Sequence, residues 1–339
     1  MSTIGTVKTL FDWAKETAPD GSVSVVAELL SQKNQIIDQM MFKEGNLPTG
    51  DRQNIRTGLP TTYWRMMNSG VPVSKATSAQ ITEQCGQLTA RGEIDASIVR
   101  LNGNTAEYRM NENSAYIEAM GQEGAATMFY GAASNPEEFV GLANRYSALT
   151  GAGNSENILN AGGTGGSDYT SVWLLGMGDN EIYGIFPKGS TAGLMHEDLG
   201  LGDAFDSSNN RFRAYMDYYE WNMGLMVKDW RYGVRICNID VSDLAGLSGT
   251  QELTDSTFLP KLMARAVDRI PDMGNIKPMF MMNRTAASLL RVAAMEKSSS
   301  AVTIEEGLNQ FGQTIHQLKF LGIPVAINDA ITNTETEVS

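Results

Sequence analysis

Apolar residues recur at helical spacing over residues 22 to 41, where Val26, Leu29, Leu30, Ile37, Met40 and Met41 share a face and Ser22 stands as N-cap. This spacing predicts an amphipathic helix on an N-terminal arm. From Asn46 to Ser78 the periodicity vanishes. Thr, Gly, Pro and Asn dominate there, and the large apolar side chains gather in Tyr63-Trp64-Arg65-Met66-Met67. A stretch longer than about 15 residues with so little core-forming material is usually functional or disordered. Turn chemistry at Thr57-Gly58-Leu59-Pro60 lets the flanks pair as a two-stranded ribbon, which alone is only marginally stable in water. Such an arm needs a neighbour to lie on.

A second helix is expected from about 107 to 131, with Ile117, Met120, Gly121, Gly124, Ala125 and Met128 on one face. At 1.5 Å per residue, some twenty residues span roughly 30 Å. Asn135-Pro136-Glu137-Glu138 supplies a cap, a first-position proline and first-turn acids, followed by Phe139, Leu142, Ala143 and Tyr146 at helical spacing. A Gly/Asn/Ser linker fills 151 to 168, after which the period changes to two. Residues 171–176 and 181–186 flank Met177-Gly178-Asp179-Asn180 as a hairpin. Residues 211–218 and 230–236 alternate as half-buried antiparallel strands. Leu259, Leu262, Met263, Ala266, Val267 and Ile270 form a helical stripe, 277–282 a strand, and Asn283 caps a helix through Leu289, Leu290 and Val292. A buried strand with a Gly/Pro break runs from 320 to 327. Helices and strands in blocks predict an α+β chain.

Composition narrows the chemistry. The 339 residues carry 26 Lys+Arg against 39 Asp+Glu, a net charge of −13 that argues against a dominant nucleic-acid-binding face. At about 150 residues per domain the length suggests two domains. Only Cys85, Cys237, His196 and His316 are present, which disfavours a disulfide scaffold or a Cys- or His-rich metal site. Lys8, Asp12, Lys15 and Glu16 interrupt the apolar run a signal peptide requires, and no stretch reaches the ~18 apolar residues of a membrane span. The expectation is a soluble protein of a reducing cytoplasm with two free thiols.

No catalytic constellation emerges. The segment Gly162-Gly163-Thr164-Gly165-Gly166-Ser167-Asp168 lacks the Gly-Lys-Ser/Thr ending of a phosphate loop and precedes a strand. His196-Glu197-Asp198 has no second histidine at i+4, and reads as a solvated loop. Neither Gly189-Ser190-Thr191-Ala192-Gly193 nor Gly246-Leu247-Ser248-Gly249 fits a nucleophile elbow. Cys85 and Cys237 lack an electropositive setting. Glu137-Glu138 and Glu305-Glu306 suit helix first turns, and most of the 19 methionines read as core filler. Arg211, Arg213, Arg231 and Arg235 interleave with Asp217, Glu220 and Asp229, the pattern of a paired-charge sheet face. A chain of this size with a long unsupported arm and no convergent site is built like an assembly subunit, whose extended segments gain burial from neighbours. Two other readings stay open on these residues alone: an acidic hydrolase with an unrecognised carboxylate site, and a tail- or fibre-type binding module.

Several segments together resemble a known family. Arg56-Thr57-Gly58-Leu59-Pro60-Thr61-Thr62-Tyr63-Trp64-Arg65, Asp168-Tyr169-Thr170-Ser171-Val172-Trp173-Leu174, Phe186-Pro187-Lys188-Gly189-Ser190, the run from Asp229 to Asp240 and Gly322-Ile323-Pro324-Val325 are similar, in this order, to major capsid proteins of tailed bacteriophages with the HK97-like fold, of the short podovirus type. The resemblance covers about 22 to 331. It implies an N-terminal arm (1–43), an extended loop on an adjacent subunit (44–95), a peripheral domain (96–250) with a spine helix at about 107–131 and an antiparallel sheet, and an axial domain (251–339). Because only Ala326 to Ser339 follow the Gly-x-Pro-Val strand, the strands at 171–239 are expected to supply the peripheral sheet, a permuted strand order.

The implied function is structural: an icosahedral head of pentamers and hexamers enclosing double-stranded DNA, without enzymatic activity, cofactor or metal. The implied partners are many copies of the chain, a separate scaffolding protein, a portal and a decoration protein, with assembly in the host bacterial cytoplasm. Inter-subunit contacts are expected from Arg52, Arg56, Tyr63, Trp64 and Arg65. Some members crosslink a loop lysine to a neighbour's asparagine. Between Glu44 and Ser74 there is no lysine, so a non-covalent shell is expected, held by loop salt bridges and burial of Tyr63 and Trp64.

Overall fold

A computed structural model describes residues 32–100, 105–163, 165–206, 208–241, 259–295, 302–308 and 314–339. In chain order the elements are α1 (Gln35–Gln39), β1 (Phe42–Glu44), β2 (Gly50–Gly58), β3 (Thr77–Gln84), β4 (Gly86–Asp95), α2 (Ala96–Arg100), α3 (Thr105–Tyr130) and α4 (Leu142–Arg145). Then come β5 (Ile158–Asn160), β6 (Tyr169–Met177), β7 (Ile182–Phe186), β8 (Leu194–Phe205), β9 (Arg211–Val227) and β10 (Gly233–Asp240). The chain continues with α5 (Leu259–Val267), β11 (Lys277–Met282), α6 (Arg284–Met295), β12 (Val302–Leu308), β13 (Thr314–Phe320) and β14 (Ile323–Ile327). The expected N-terminal helix lies mostly outside the described residues; within them it is the short α1.

β9 organises half of the molecule. Its 17 residues hold β4 and β8 antiparallel along the first part, with Asp217 opposite both Gly92 and Asp198, and hold β7 along the last part, with Ile182 opposite Val227. The 26-residue helix α3 packs its Tyr116 ring against β9's Tyr219 at 6.0 Å between centroids. Toward its C-terminal end, Ala125, Met128 and Phe129 enter a core with Leu142, Tyr146, Trp173 and Leu175.

β6 explains why the second half reads poorly as alternating strands. All nine of its residues are buried. Trp173, Leu175 and Met177 face the core containing α3, while Val172 and Leu174 face a second core with α5, Phe280, Met282 and Phe320. A strand covered on both faces shows a continuous apolar run instead of a period of two. β6 lies between β10 and β11, both antiparallel to it, and β11 continues in parallel to β14. β6 and β10 thus belong to the same sheet as the C-terminal strands, so the strands at 171–239 do not form a peripheral sheet of their own.

Four local expectations fail for identifiable reasons. Residues 171–186 are not a hairpin, since β6 and β7 share a single parallel pair, Met177 with Ile182, and take their main partners elsewhere. The stretch after Pro136 is irregular up to α4, because the chain folds back on the end of α3, with Gly141 N–H donating to the Gly131 carbonyl at 2.9 Å. Glu305-Glu306 lie in β12, antiparallel to β13, and Glu137-Glu138 lie in a turn. The strand at 230–236 begins as a 3-10 turn, Trp230–Tyr232, and β10 behind it is buried on both faces. The Gly/Pro break is a tight turn at Leu321 and Gly322, φ 49° and 80°, that reverses β13 into β14. Asn283 caps α6 as expected, its Oδ1 accepting from Ala286 N–H at 2.8 Å.

Residues after β14 fasten the cores together. Asn238 exchanges two hydrogen bonds with Val338, both 2.8 Å. Glu335 reaches a buried site where Arg235 Nη2 donates to it at 2.9 Å, Tyr130 Oη donates at 2.6 Å, and Ser171 Oγ donates as well.

Candidate inter-subunit surface

The segment without core-forming pattern folds as a two-stranded hairpin of its own. β2 and β3 pair from Gly50 with Gln84 out to Gly58 with Thr77, separate from the large sheet. Both strands alternate polar side chains, so the ribbon depends on its base for support.

That base is locked to the body. Asp51, almost wholly buried, accepts from Tyr183 Oη at 3.0 Å and from Gln53 Nε2. Asn46 pairs with the Arg52 backbone through both ends of its side-chain amide, at 2.6 and 2.9 Å. Glu83 takes a two-pronged grip from Arg145, and Cys85 N–H donates to Thr49. Burial and the Asp51 charge push the Cys85 thiol up to about 12, and burial raises Cys237 to about 11, so neither is an activated nucleophile at neutral pH.

The tip is the opposite. Residues 59–76 carry Leu59, Trp64, Met66, Met67 and Val73 with more than three quarters of each side chain exposed, and Tyr63 half exposed. Met66 and Met67 are thus exceptions to the core-filling role of methionine here. From Arg52 to Thr82 the chain has four cations, Arg52, Arg56, Arg65 and Lys75, and no carboxylate. The lysine-free interval therefore ends inside the loop, at the exposed Lys75. Arg52 Nε is bound to Thr82 Oγ1 within the hairpin at 3.1 Å. Arg56 and Arg65 form no salt bridge with a carboxylate among the described residues.

A polar cluster that the sequence did not reveal sits between α3 and the β8–β9 pair. Arg109 Nη2 lies 2.8 Å from Asp198 and 3.0 Å from the fully buried Asp217, whose Oδ1 is 2.9 Å from His196 Nε2. His196 stacks on Tyr219 with ring centroids 4.7 Å apart. His196-Glu197-Asp198 is therefore a solvent-exposed strand segment tied to a neighbouring strand and helix, not a loop. The hydrogen bond from Arg109 holds the Asp198 carboxyl below its usual range, helped by Gly200 N–H. The arrangement is a partly exposed charge network around the buried Asp217, with Asp198 and Asp217 both paired, and among the described residues no group of three or more His, Cys, Asp or Glu is placed to hold a metal ion.

The four arginines also find separate partners. Arg213 pairs with Asp203, Arg231 with Asp229, and Arg235 with Glu335, while Arg211 lies over Phe205. β9 and β10 are not neighbours, so these residues form no common face.

Comparison with known proteins bears on this geometry. A family model described as Major capsid protein GP7 matches residues 18–339. A chain from a cryo-EM structure of bacteriophage Epsilon15 is 28% identical, with a TM-score of 0.75, covering 100% of this chain and 99% of that one. A bacteriophage JBD30 capsid chain is 10% identical at a TM-score of 0.45, covering 96% and 99% of the two chains. A capsid chain of a native GTA particle is 10% identical at a TM-score of 0.42, covering 64% and 93%. No curated protein matches.

Proposed function

The chain belongs to the major capsid protein GP7 family, a structural subunit of a phage capsid located in the virion, and from that premise we propose that its β2–β3 hairpin is the element that ties one copy to the next. The α+β fold is HK97-like, as the sequence resemblance implied. The observation that carries the proposal is the contrast within one ribbon: a base held by Asp51–Tyr183 and Glu83–Arg145, and a tip that leaves Trp64, Met67 and Val73 in water. Exposed apolar groups gathered on a projection whose base is fixed to the body mark an interaction site.

On this reading Arg52, Arg56, Tyr63, Trp64 and Arg65 make the inter-subunit contacts, with Arg56 and Arg65 answering carboxylates of a neighbour. The proposed division is an arm (1–43), a loop (44–95), a peripheral part (96–250) and an axial part (251–339), with β6 and β10 of the peripheral part joined in one sheet to β11 and β14 of the axial part. Pentamers and hexamers enclose double-stranded DNA, the role is purely structural, and a separate scaffolding protein and a portal complete the particle. The net charge of −13 suits a wall that does not grip phosphate. Sedimentation with negative-stain imaging of the expressed chain tests the reading: capsomers or shells support it, and a compact monomer or a small trimeric ring contradicts it. Uniform, correctly sized shells from the purified chain alone would remove the need for a scaffolding protein.

A further inference from the structure

A cavity of about 180 Å³ opens where α3, β4 and β9 meet the turn before α4. Phe139 and Met223, both almost fully buried, form its apolar floor. Gly124 keeps it open on the helix side, since a side chain there would press on Met223 at 3.0 Å. Its rim is acidic: Glu123 and Glu137 are exposed on it, and no lysine or arginine lines it. Glu138 beside them is already occupied, accepting from Asn135 Nδ2 at 2.7 Å. An apolar cavity of about 150 Å³ is enough to take up a benzene ring, so this one has room for one six-membered ring, such as the benzo edge of an indole whose remainder stays at the mouth.

The matching shape and charge occur elsewhere in the same chain. The hairpin tip presents the fully exposed Trp64 next to Arg65, in a segment from Arg52 to Thr82 that has four cations and no carboxylate. It is not seated in the cavity of its own copy, since Trp64 is fully exposed. The cavity begins at Gly86, two residues beyond the end of the hairpin at Gln84. β3's eight residues, at about 3.3 Å each, carry the tip roughly 25 Å away from that point.

We propose that the cavity receives the hairpin tip of a second copy, with Trp64 on the Phe139–Met223 floor and Arg65 facing Glu123 and Glu137. This rests on the reading of the hairpin as the inter-subunit element and names its receptor. Because tip and cavity are different surfaces, the contact is heterologous and propagates head to tail. Such contacts close into rings when the rotation allows, which is what a capsomer requires.

The test is crosslinking in assembled particles of the full chain. In a Cys85→Ser background, Thr62→Cys on the tip and Gln87→Cys at the cavity mouth, both exposed positions, are treated with a short bis-maleimide. The proposal expects ladders of linked subunits from the double variant and none from either single variant; particles that form normally without ladders overturn it. As an independent check, Glu123→Lys with Glu137→Lys should cut particle yield at least tenfold while far-UV circular dichroism stays unchanged, and adding Arg65→Glu and Lys75→Glu should restore much of it. Wild-type yield from the charge-reversed cavity also overturns the proposal. In either case the hairpin reading stands if removing the tip abolishes shells, and both fall if it does not.

Discussion

Arg145 grips Glu83 through two parallel hydrogen bonds, Nη1 to Oε1 at 2.5 Å and Nη2 to Oε2 at 2.7 Å, with both side chains more than four fifths buried. The pair joins the last residues of the projecting hairpin to the helix α4, and Arg145 Nη2 also donates to the Val140 carbonyl at 3.1 Å. A bidentate, largely desolvated pair fixes geometry as well as distance. Removing one partner leaves the other charge buried without compensation. Arg145→Ala is therefore expected to cost about 3 kcal/mol in denaturant unfolding of the subunit. Glu83→Gln, which keeps a hydrogen-bonding oxygen, should cost less. Equal, negligible effects would show that the base is held by its backbone contacts alone.

The same logic applies more strongly at the C-terminal end. Arg235 and Glu335 are both buried within a network that includes Ser171 and Tyr130. Glu335→Ala should destabilise by about 3–5 kcal/mol. Deleting residues 332–339 should do at least as much, since it also removes the Val338–Asn238 exchange. A thermal melt of either variant that matches the parent would contradict this account of how the tail is held.

Acid should loosen β8 from α3. Arg109's hydrogen bond, then Gly200 N–H, lowers the Asp198 carboxyl from 3.8. A carboxylate depressed in the folded state contributes stability that is present above its unfolded pKa and lost as pH falls through the folded value. The loss belongs below about pH 4. Asp198→Asn should flatten the acid limb of a stability-versus-pH curve in that window and leave neutral stability close to the parent's, because the group is half exposed. An unchanged acid limb would show that Asp198 carries none of it.

Much of this architecture is legible in the chain, and the illegible parts share a cause. The hairpin reveals itself because 46–78 lacks apolar periodicity, but its turn does not: Gly58 is still paired with Thr77 at the end of the ladder, and the chain reverses within 59–76, where Ser69 N–H donates to the Met66 carbonyl, instead of at Thr57-Gly58-Leu59-Pro60. α5, β11 and the cap at Asn283 are local patterns, and they form where those patterns place them. β6 misleads because its partners, β10 and β11, lie some 60 and 105 positions away, and a strand buried on both faces carries no signal of which neighbour it joins. The helix signal at Pro136 yields to a fold-back at Gly131 and Gly141. The segment at His196 reads as a loop because its partners, Asp217 for His196 and Arg109 for Asp198, come from a different strand and a helix. At the candidate surface, Trp64 and Arg65 were visible as an apolar-cationic cluster without core context. The cavity was not, since Gly86, Gly124, Phe139 and Met223 converge only in three dimensions.

The central claim is that the tip of the β2–β3 hairpin joins subunits into a shell, and the most direct measurement is the particle yield of a chain whose residues 59–76 are replaced by a two-residue Asn-Gly turn closing Gly58 onto Thr77. Sedimentation and negative-stain imaging should find a folded subunit with parental circular dichroism and no stable shells. Shells of normal size and yield from that variant would contradict the claim.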